Sequence, residues 1–469
     1  MSTLSLKKRY IGDRAFYRMV LGITVPIIIQ NAITNFVSLL DNIMVGRIGT
    51  EQMSGVAIGN QLLFVYSLCI FGGYSGAGIF TAQYHGKGDD EGIRHTMRFK
   101  LLLGLGLTAL ACLVLRLWNT PLIQLFLHDG SATGDLQLTL AAGQQYLRIM
   151  LIGLIPFAVS QVYTSTLREV GETMLPMKAG VVAVCVNLFF NWVLIYGHLG
   201  FAPMGVAGAA IATVISRFVE CGIVIVWSHV HTERFPFMRR VWASLHIPAA
   251  LTGDIIRRGM PLLFNEGLWS FGLTALTQCY STRGLAVIAA LNISSTIVNL
   301  FNVIYMALGN AVGIVVGKLL GQGKPREAVD TDRKMIAFSV VMCIVIGAVM
   351  AATAGLFPQI YNTTDEVRTL AAYFIRLAGL LMPMNAFLHC AYFTLRCGGK
   401  TVLTFLFDCG YMCAINLPII YCLAHFTGIG IHLLYLTGQT IDIFKCVIGF
   451  ILVKKGIWIH NIVGGAMES

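Results

Sequence analysis

Apolar stretches of about twenty residues recur along the whole chain, separated by short polar or basic segments. Twelve are legible, near 16–40, 52–80, 96–118, 142–167, 176–197, 204–229, 256–280, 285–317, 333–356, 370–394, 401–424 and 428–453. Each is long enough to cross a bilayer as a helix. A helix also satisfies its own backbone hydrogen bonds, which lipid cannot do. The short alternating segments of a transmembrane β-barrel are absent. The longest polar interval, 230–255, is rich in His, Arg and Pro and reads as a linker. The pattern predicts an all-α polytopic membrane protein of twelve transmembrane helices in two six-helix lobes, 1–229 and 256–469, joined by 230–255.

The two halves resemble each other. Residues 26–98 align without a gap on 261–333, pairing Pro26 with Pro261, Phe36 with Phe271, Gly49 with Gly284, Gly78 with Gly313 and Arg98 with Arg333. The turn Gly86-Lys87-Gly88 meets Gly321-Gln322-Gly323 at the end of the same helix. Further on, Tyr146-Leu147-Arg148 lies opposite Phe374-Ile375-Arg376, Thr166-Leu167-Arg168 opposite Thr394-Leu395-Arg396, and Gly205 opposite Gly430. Six helices per repeat give both halves the same direction across the membrane, an arrangement that in transporters supports alternating access.

Composition and charge sharpen this reading. Only 12% of residues are charged and 56% are hydrophobic, against about a quarter charged in soluble domains. The net charge of +11 is a topology signal, not a nucleic-acid surface. Of 33 Lys and Arg residues, 25 fall at the two termini or in alternate loops, whereas the opposite loops hold only Arg47, Arg116, Arg283 and Arg368. That bias places both termini and the 230–255 linker in the cytoplasm of a multi-pass inner or plasma membrane protein. The start is polar and basic and runs on into a full span, so no cleavable signal is expected. Most cysteines sit inside apolar segments without a CxxC pair, as packing residues do.

Ionisable side chains in spanning helices cost about 2.5–3.5 kcal/mol each, so each needs a reason. Arg217 and Glu220, three apart, are expected to pair on one helix face, as are Asp442 and Lys445 at the matching places of the second half. Arg148 and Arg376 lie in the outer thirds of their helices and are expected to snorkel or to bond carbonyls. Asp41 ends the first helix, with Arg47 as the one basic residue near it. Asn187 and Asn191 share a face of helix five and Thr213 adds a hydroxyl on helix six. One carboxylate with amide and hydroxyl oxygens suits a hard cation, or a proton when dry. Glu266, in Pro261-Leu262-Leu263-Phe264-Asn265-Glu266-Gly267, stands apart from any compensating charge in sequence. In apolar surroundings it is suited to exchange a proton or to meet a cationic substrate. Asp408 in helix eleven is a weaker candidate near the cytoplasmic end. His389 and His425 are read as buried packing residues.

These residues carry a family resemblance. Asp41-Asn42-Ile43-Met44-Val45-Gly46-Arg47-Ile48-Gly49, Gly205-Val206-Ala207-Gly208-Ala209-Ala210-Ile211-Ala212-Thr213 and the paired Thr-Leu-Arg loops resemble motifs of the multidrug and toxic compound extrusion (MATE) family, in its bacterial NorM-like and DinF-like branches. The likeness spans nearly the whole chain. It implies a V-shaped, two-lobed antiporter that exports cationic and amphipathic organic compounds in exchange for H+ or Na+. By position, Asp41, Asn187, Asn191 and Thr213 match the family's first-lobe cation site, a candidate for Na+, and Glu266 matches its helix-seven glutamate. Asn191 stands where some members carry aspartate, and Asn385 where some NorM-like members do. Pro26, inside helix one, removes one backbone bond and supplies a bend point.

Other classes fit less well. A lipid-linked precursor flippase of the same superfamily would hold cationic residues inside its first helices, and here they sit in loops. The basic motif of major-facilitator transporters after helix two is absent, as are oligomeric pore signals and any His/Glu set at metal-ligand spacing. The chain is therefore read as a transporter and not an enzyme, with no cofactor beyond its coupling ion. Its expected partners are small organic cations and membrane lipids but not nucleic acid, and it is expected to act as a monomer.

Overall fold

The computed structural model describes residues 10–126 and 136–464, so Lys7, Lys8 and Arg9 of the basic amino terminus lie outside the described residues. Among those described there is no strand. Twelve long helices follow one another: α1 (Arg14–Gly46), α2 (Thr50–Lys87), α3 (Asp90–Leu117), α4 (Leu136–Glu169), α5 (Met174–Tyr196), α6 (Val206–Val230), α7 (Ala249–Ser281), α8 (Leu285–Gly321), α9 (Pro325–Thr353), α10 (Asp365–Cys397), α11 (Thr401–Phe426) and α12 (Ile431–Lys454). Each contains the apolar stretch read from the sequence, apart from one to three residues at some ends.

Eleven of the twelve are long and apolar enough to cross a membrane. The exception, α7, carries Asp254, Arg257 and Arg258 in its first third and Asn265, Glu266, Ser270, Thr274, Thr277 and Gln278 further along. Within the apolar stretch long enough to span a bilayer, 61% of residues are buried in the repeat-related α2 and α8, against 22% in α3 and α12. Leu110, Leu113 and Leu117 on α3, and Phe444, Val447 and Ile451 on α12, form exposed apolar faces. Such faces suit lipid.

Helix ends carry local signals. Asp89 caps α3 by accepting from the Gly92 N–H at 2.8 Å, with Asp90 and Glu91 in the first turn. Thr364 caps α10 the same way, followed by Asp365 and Glu366. Both complement the orphan N–H groups and positive dipole end of the helix.

By internal contact the chain forms two compact units. An amino-terminal unit holds Ile29–Thr81 and Asp89–Ile256, and a carboxyl-terminal unit holds Met1–Ile28, Ala82–Gly88 and Arg257–Ser469. The division passes through α1 two residues beyond Pro26, and α1 remains helical through that proline. In the amino-terminal unit the interior is built on Met97, Leu147, Met150, Leu154, Val162 and Leu167. In the carboxyl-terminal unit one core gathers Val312, Val316, Met335, Leu395 and Trp458, and a second gathers Tyr280, Phe374, Ile420 and Leu434.

Within the amino-terminal unit the residues after α6 are folded down rather than loosely linking. Arg94 donates to the Pro236 and Phe237 carbonyls, Arg98 to those of Val241 and His246, and Glu172 pairs with Arg234 at 2.5 Å. Phe237, Met238 and Val241 are buried. The residues after α12 do the same within the carboxyl-terminal unit. Gln83 donates to the Cys397 and His460 carbonyls and accepts from the Ile462 N–H, and Lys87 reaches the Val463 carbonyl.

The repeated Gly-x-Gly turns explain themselves inside the carboxyl-terminal unit. A Cβ on Gly86 would run into the Lys318 carbonyl, and one on Gly321 into the Gln83 carbonyl. The first glycine of each turn therefore permits two helix ends to touch backbone to backbone. The second, Gly88 at φ +77° and Gly323 at φ +70°, ends its helix in the left-handed region, with open space where a side chain would go. Overpacking such a crossing costs about 1–3 kcal/mol. Gly321→Ala should therefore lower the melting temperature of the detergent-purified protein clearly, while Gly323→Asn, which tolerates positive φ, should lower it far less. A thermal-shift assay on both variants checks the difference.

Candidate functional site

In the amino-terminal unit α1, α5 and α6 bring the four residues singled out from the sequence into one hydrogen-bonded chain. The Asn191 Nδ2 donates to Asp41 Oδ1 at 2.5 Å and to Asn187 Oδ1 at 3.0 Å. The Asn187 Nδ2 donates to Thr213 Oγ1 at 3.2 Å, and that hydroxyl donates to the Ala209 carbonyl one turn back. The i, i+4 spacing of the two asparagines puts both amides on the face of α5 that meets α6, and both are buried. Gly208 lets α6 close on α5, since a Cβ there would meet the Leu194 carbonyl at 2.6 Å. Tyr196 holds the far end of α1 by donating to the Met44 carbonyl at 3.0 Å.

One acceptor in this set is unused: Asn191 Oδ1 is buried and has no hydrogen-bond partner. A carboxylate, two amide oxygens and a hydroxyl are hard oxygen donors of the type alkali and alkaline-earth cations take. Orphaned buried acceptors are otherwise costly. The residues present therefore fit a small hard cation as well as a proton.

Around this site lie groups the sequence did not single out. Tyr146 donates to Asn60 Oδ1 at 2.8 Å, and Arg217 and Asp41 are the charges that act on its hydroxyl. Arg217 does not form the expected ion pair with Glu220. It donates to the Gly153 carbonyl at 3.4 Å and stacks its guanidinium 5.0 Å from the Phe157 ring. A 3-10 turn, Leu151–Gly153, interrupts α4 there and changes its carbonyl pairing. Glu220 has Arg168 as its leading charged neighbour, and Arg168 also donates to Gln30 Oε1. Lys100, fully buried on α3, bonds Glu169 and the Thr166 hydroxyl. Thr394, the repeat partner of Thr166, donates to buried Asp332 on α9 at 2.6 Å. The Thr-Leu-Arg motifs are thus internal polar ties, and the sign of the tied charge differs between halves.

In the carboxyl-terminal unit the sequence reading needs correction. Glu266 is not remote from positive charge, because Arg396 and Asp408 are its charged neighbours. Lys445 does not pair with Asp442. Its Nζ bonds Asp408 Oδ1 at 2.7 Å, and Asn265 Nδ2 donates to Asp408 Oδ2 at 3.0 Å. Asp442 accepts instead from Asn416 Nδ2 at 3.3 Å. Spacing along one helix suggested the nearer partner, but a neighbouring helix offered a better one. His389 is surrounded by the rings of Tyr305, Tyr392 and Phe393 as expected, whereas His425 is exposed and stacks on Tyr421.

Twelve helices built from a repeat, with ionisable groups tied to one another inside them, make up a polytopic membrane transporter. The MatE family profile matches residues 26–193 and 261–422, once in each half, and the chain belongs to that family. It is similar to the probable multidrug resistance protein NorM of Thermotoga maritima, 23% identical over 93% of this chain and 92% of that protein. A mutant of the Vibrio cholerae MATE transporter VcmN has the same fold, with a TM-score of 0.82 at 19% identity over 94% of this chain and 97% of that one. An outward-facing multidrug resistance MATE family transporter of the MOP superfamily gives 0.81 at 18% identity over 97% of this chain and 99% of that one.

The charge of Arg396 acting on Glu266 yields a direct test. Residues that interact couple by about 0.5–3 kcal/mol in double-mutant cycles. Arg396→Met should destabilise the purified protein, and adding Glu266→Gln should recover part of the loss. Additive melting shifts would show that the two groups do not interact.

Proposed function

We propose that the protein is a secondary antiporter that exports cationic or amphipathic organic compounds in exchange for H+ or Na+ by alternating access. The observation that carries this reading is the Asp41–Asn191–Asn187–Thr213 chain: one half-buried carboxylate, tied through amides to two other spanning helices, beside a free amide oxygen. The Thermotoga relative's description as a multidrug resistance protein supports the class of cargo.

Asp41 is the coupling carboxylate. Asn191 donates to it, which suits an ionised carboxylate awaiting a proton. A half-turn of that amide presents Oδ1 instead, and Asp41, Asn187, Asn191 and Thr213 then hold a sodium ion through oxygen alone. Either ion neutralises the only formal charge of the set. The loss of charge-assisted bonding between Asp41 and α5 frees α1 to shift at Pro26, where one backbone hydrogen bond is already missing. Glu266 is the second-lobe carboxylate and serves proton or substrate, with Arg396 poised to take the charge when it is ionised. The lobes are residues 1–229 and 256–469, with 230–255 between them on the cytoplasmic side, in the cell membrane.

Ethidium efflux from cells expressing each variant tests these roles. Asp41→Asn should abolish export while the protein still reaches the membrane, and Glu266→Gln should reduce it at least about tenfold, the effect of roughly 1.4 kcal/mol. Full export by Asp41→Asn rules out the first role, and unchanged export by Glu266→Gln rules out the second.

A further inference from the structure

Helix α11 leaves regular pairing twice, in π turns at Leu406–Gly410 and Met412–Asn416. Such turns insert a residue, shift the side chains that follow, and cluster at functional positions in helices. Here the first carries Asp408 and the second ends on Asn416. Asp408 holds Lys445 and Asn265, and Asn416 holds Asp442. Lys445 therefore stands between two carboxylates. One, Asp408, it bonds across helices. The other, Asp442, is one turn away on its own helix and acts on it through space.

A buried ion pair is seldom more stable than well-packed apolar residues of the same volume, so this one does not explain itself by stability. Its surroundings suit something other than a lysine. The Asp408 side chain keeps 21% of its surface exposed. The Phe407 ring lies 5.3 Å from the ammonium, and Asn265 Oδ1 is buried beside the carboxylate without a partner. A carboxylate, an aromatic face and a spare amide oxygen are the groups that bind an organic monocation.

We propose that Asp408, Asn265 and Phe407 form a binding site for an organic monocation, kept filled in the absence of cargo by the tethered ammonium of Lys445. When cargo enters, Lys445 moves from Asp408 to Asp442. One positive charge arrives and one carboxylate is newly paired, so no charge is left alone at either position. Lys445 thus sets specificity: the site accepts only cations able to displace a tethered competitor. This rests on the reading of the protein as an exporter of organic cations.

Tetraphenylphosphonium binding to the full-length protein in detergent, followed by equilibrium dialysis beside melting temperatures, tests it. A short tether presents its charge at about millimolar effective concentration, so Lys445→Met should tighten binding by about tenfold or more. Asp442→Asn, which removes the alternative partner, should weaken binding several-fold. Asp408→Asn/Lys445→Met removes both members of the ion pair together, so it should keep the fold yet bind more weakly than the wild type. A purely structural pair would move the melting temperatures alone. Wild-type binding that is indifferent to Asp442→Asn and to the folded double variant overturns this inference by itself. A wild type that exports no organic cation from cells and binds none overturns the exporter reading with it.

Discussion

An ionised side chain in the hydrocarbon of a bilayer gives up its water and finds no replacement in lipid, so it must find partners in the chain. The rest of the interior follows from that demand. Asp41 takes an amide from α5, Arg217 a carbonyl and a ring from α4, Arg168 an amide from α1, and Asp408 an ammonium from α12 and an amide from α7. Each tie joins different helices, so each of these charges is also a joint between segments. A group that changes its charge changes how firmly its helix is held. In the proposed antiport cycle, that link would turn ion binding into helix movement with no part beyond the residues that satisfy the charge.

The repeat shows which features of the scaffold are fixed by backbone geometry and which are free. The paired Gly-x-Gly turns serve the same two purposes in both halves: close backbone approach at Gly86 and Gly321, and left-handed termination at Gly88 and Gly323. The polar ties are not copied. Thr166 meets a lysine where Thr394 meets an aspartate, and the carboxylates that stand out, Asp41 and Glu266, fall at unrelated positions of the aligned halves. The glycines recur in both halves, where close backbone contact at Gly86 and Gly321 leaves no room for a side chain and positive φ at Gly88 and Gly323 favours glycine, while each half has its own charges.

The helices and the repeat were legible in the sequence because both rest on one-dimensional patterns: runs of apolar residues and glycines at a fixed offset. The Asp41 set was legible for a related reason. Asn187 and Asn191 are i, i+4, a spacing that declares a shared face, and polar residues on a shared face of a spanning helix must be directed at something. The misreadings have one cause. Arg217 was matched with Glu220, and Lys445 with Asp442, because they are neighbours along a helix, yet the partners that hold them come from elsewhere in the fold. Glu266 was read as isolated because Arg396 is remote in sequence and sits in a motif that read as a loop. The π turns of α11, which place Asp408, carry no periodic signature at all. Their apolar content is that of an ordinary helix.

The central claim is that a carboxylate tied between spanning helices couples an ion gradient to the export of organic cations. Proteoliposomes loaded with a fluorescent organic cation, given a proton or a sodium gradient one at a time, measure it most directly. The account predicts efflux driven by at least one gradient without ATP, and its loss in Asp41→Asn at equal protein content. Efflux that ignores both gradients, or that persists undiminished in Asp41→Asn, would contradict it.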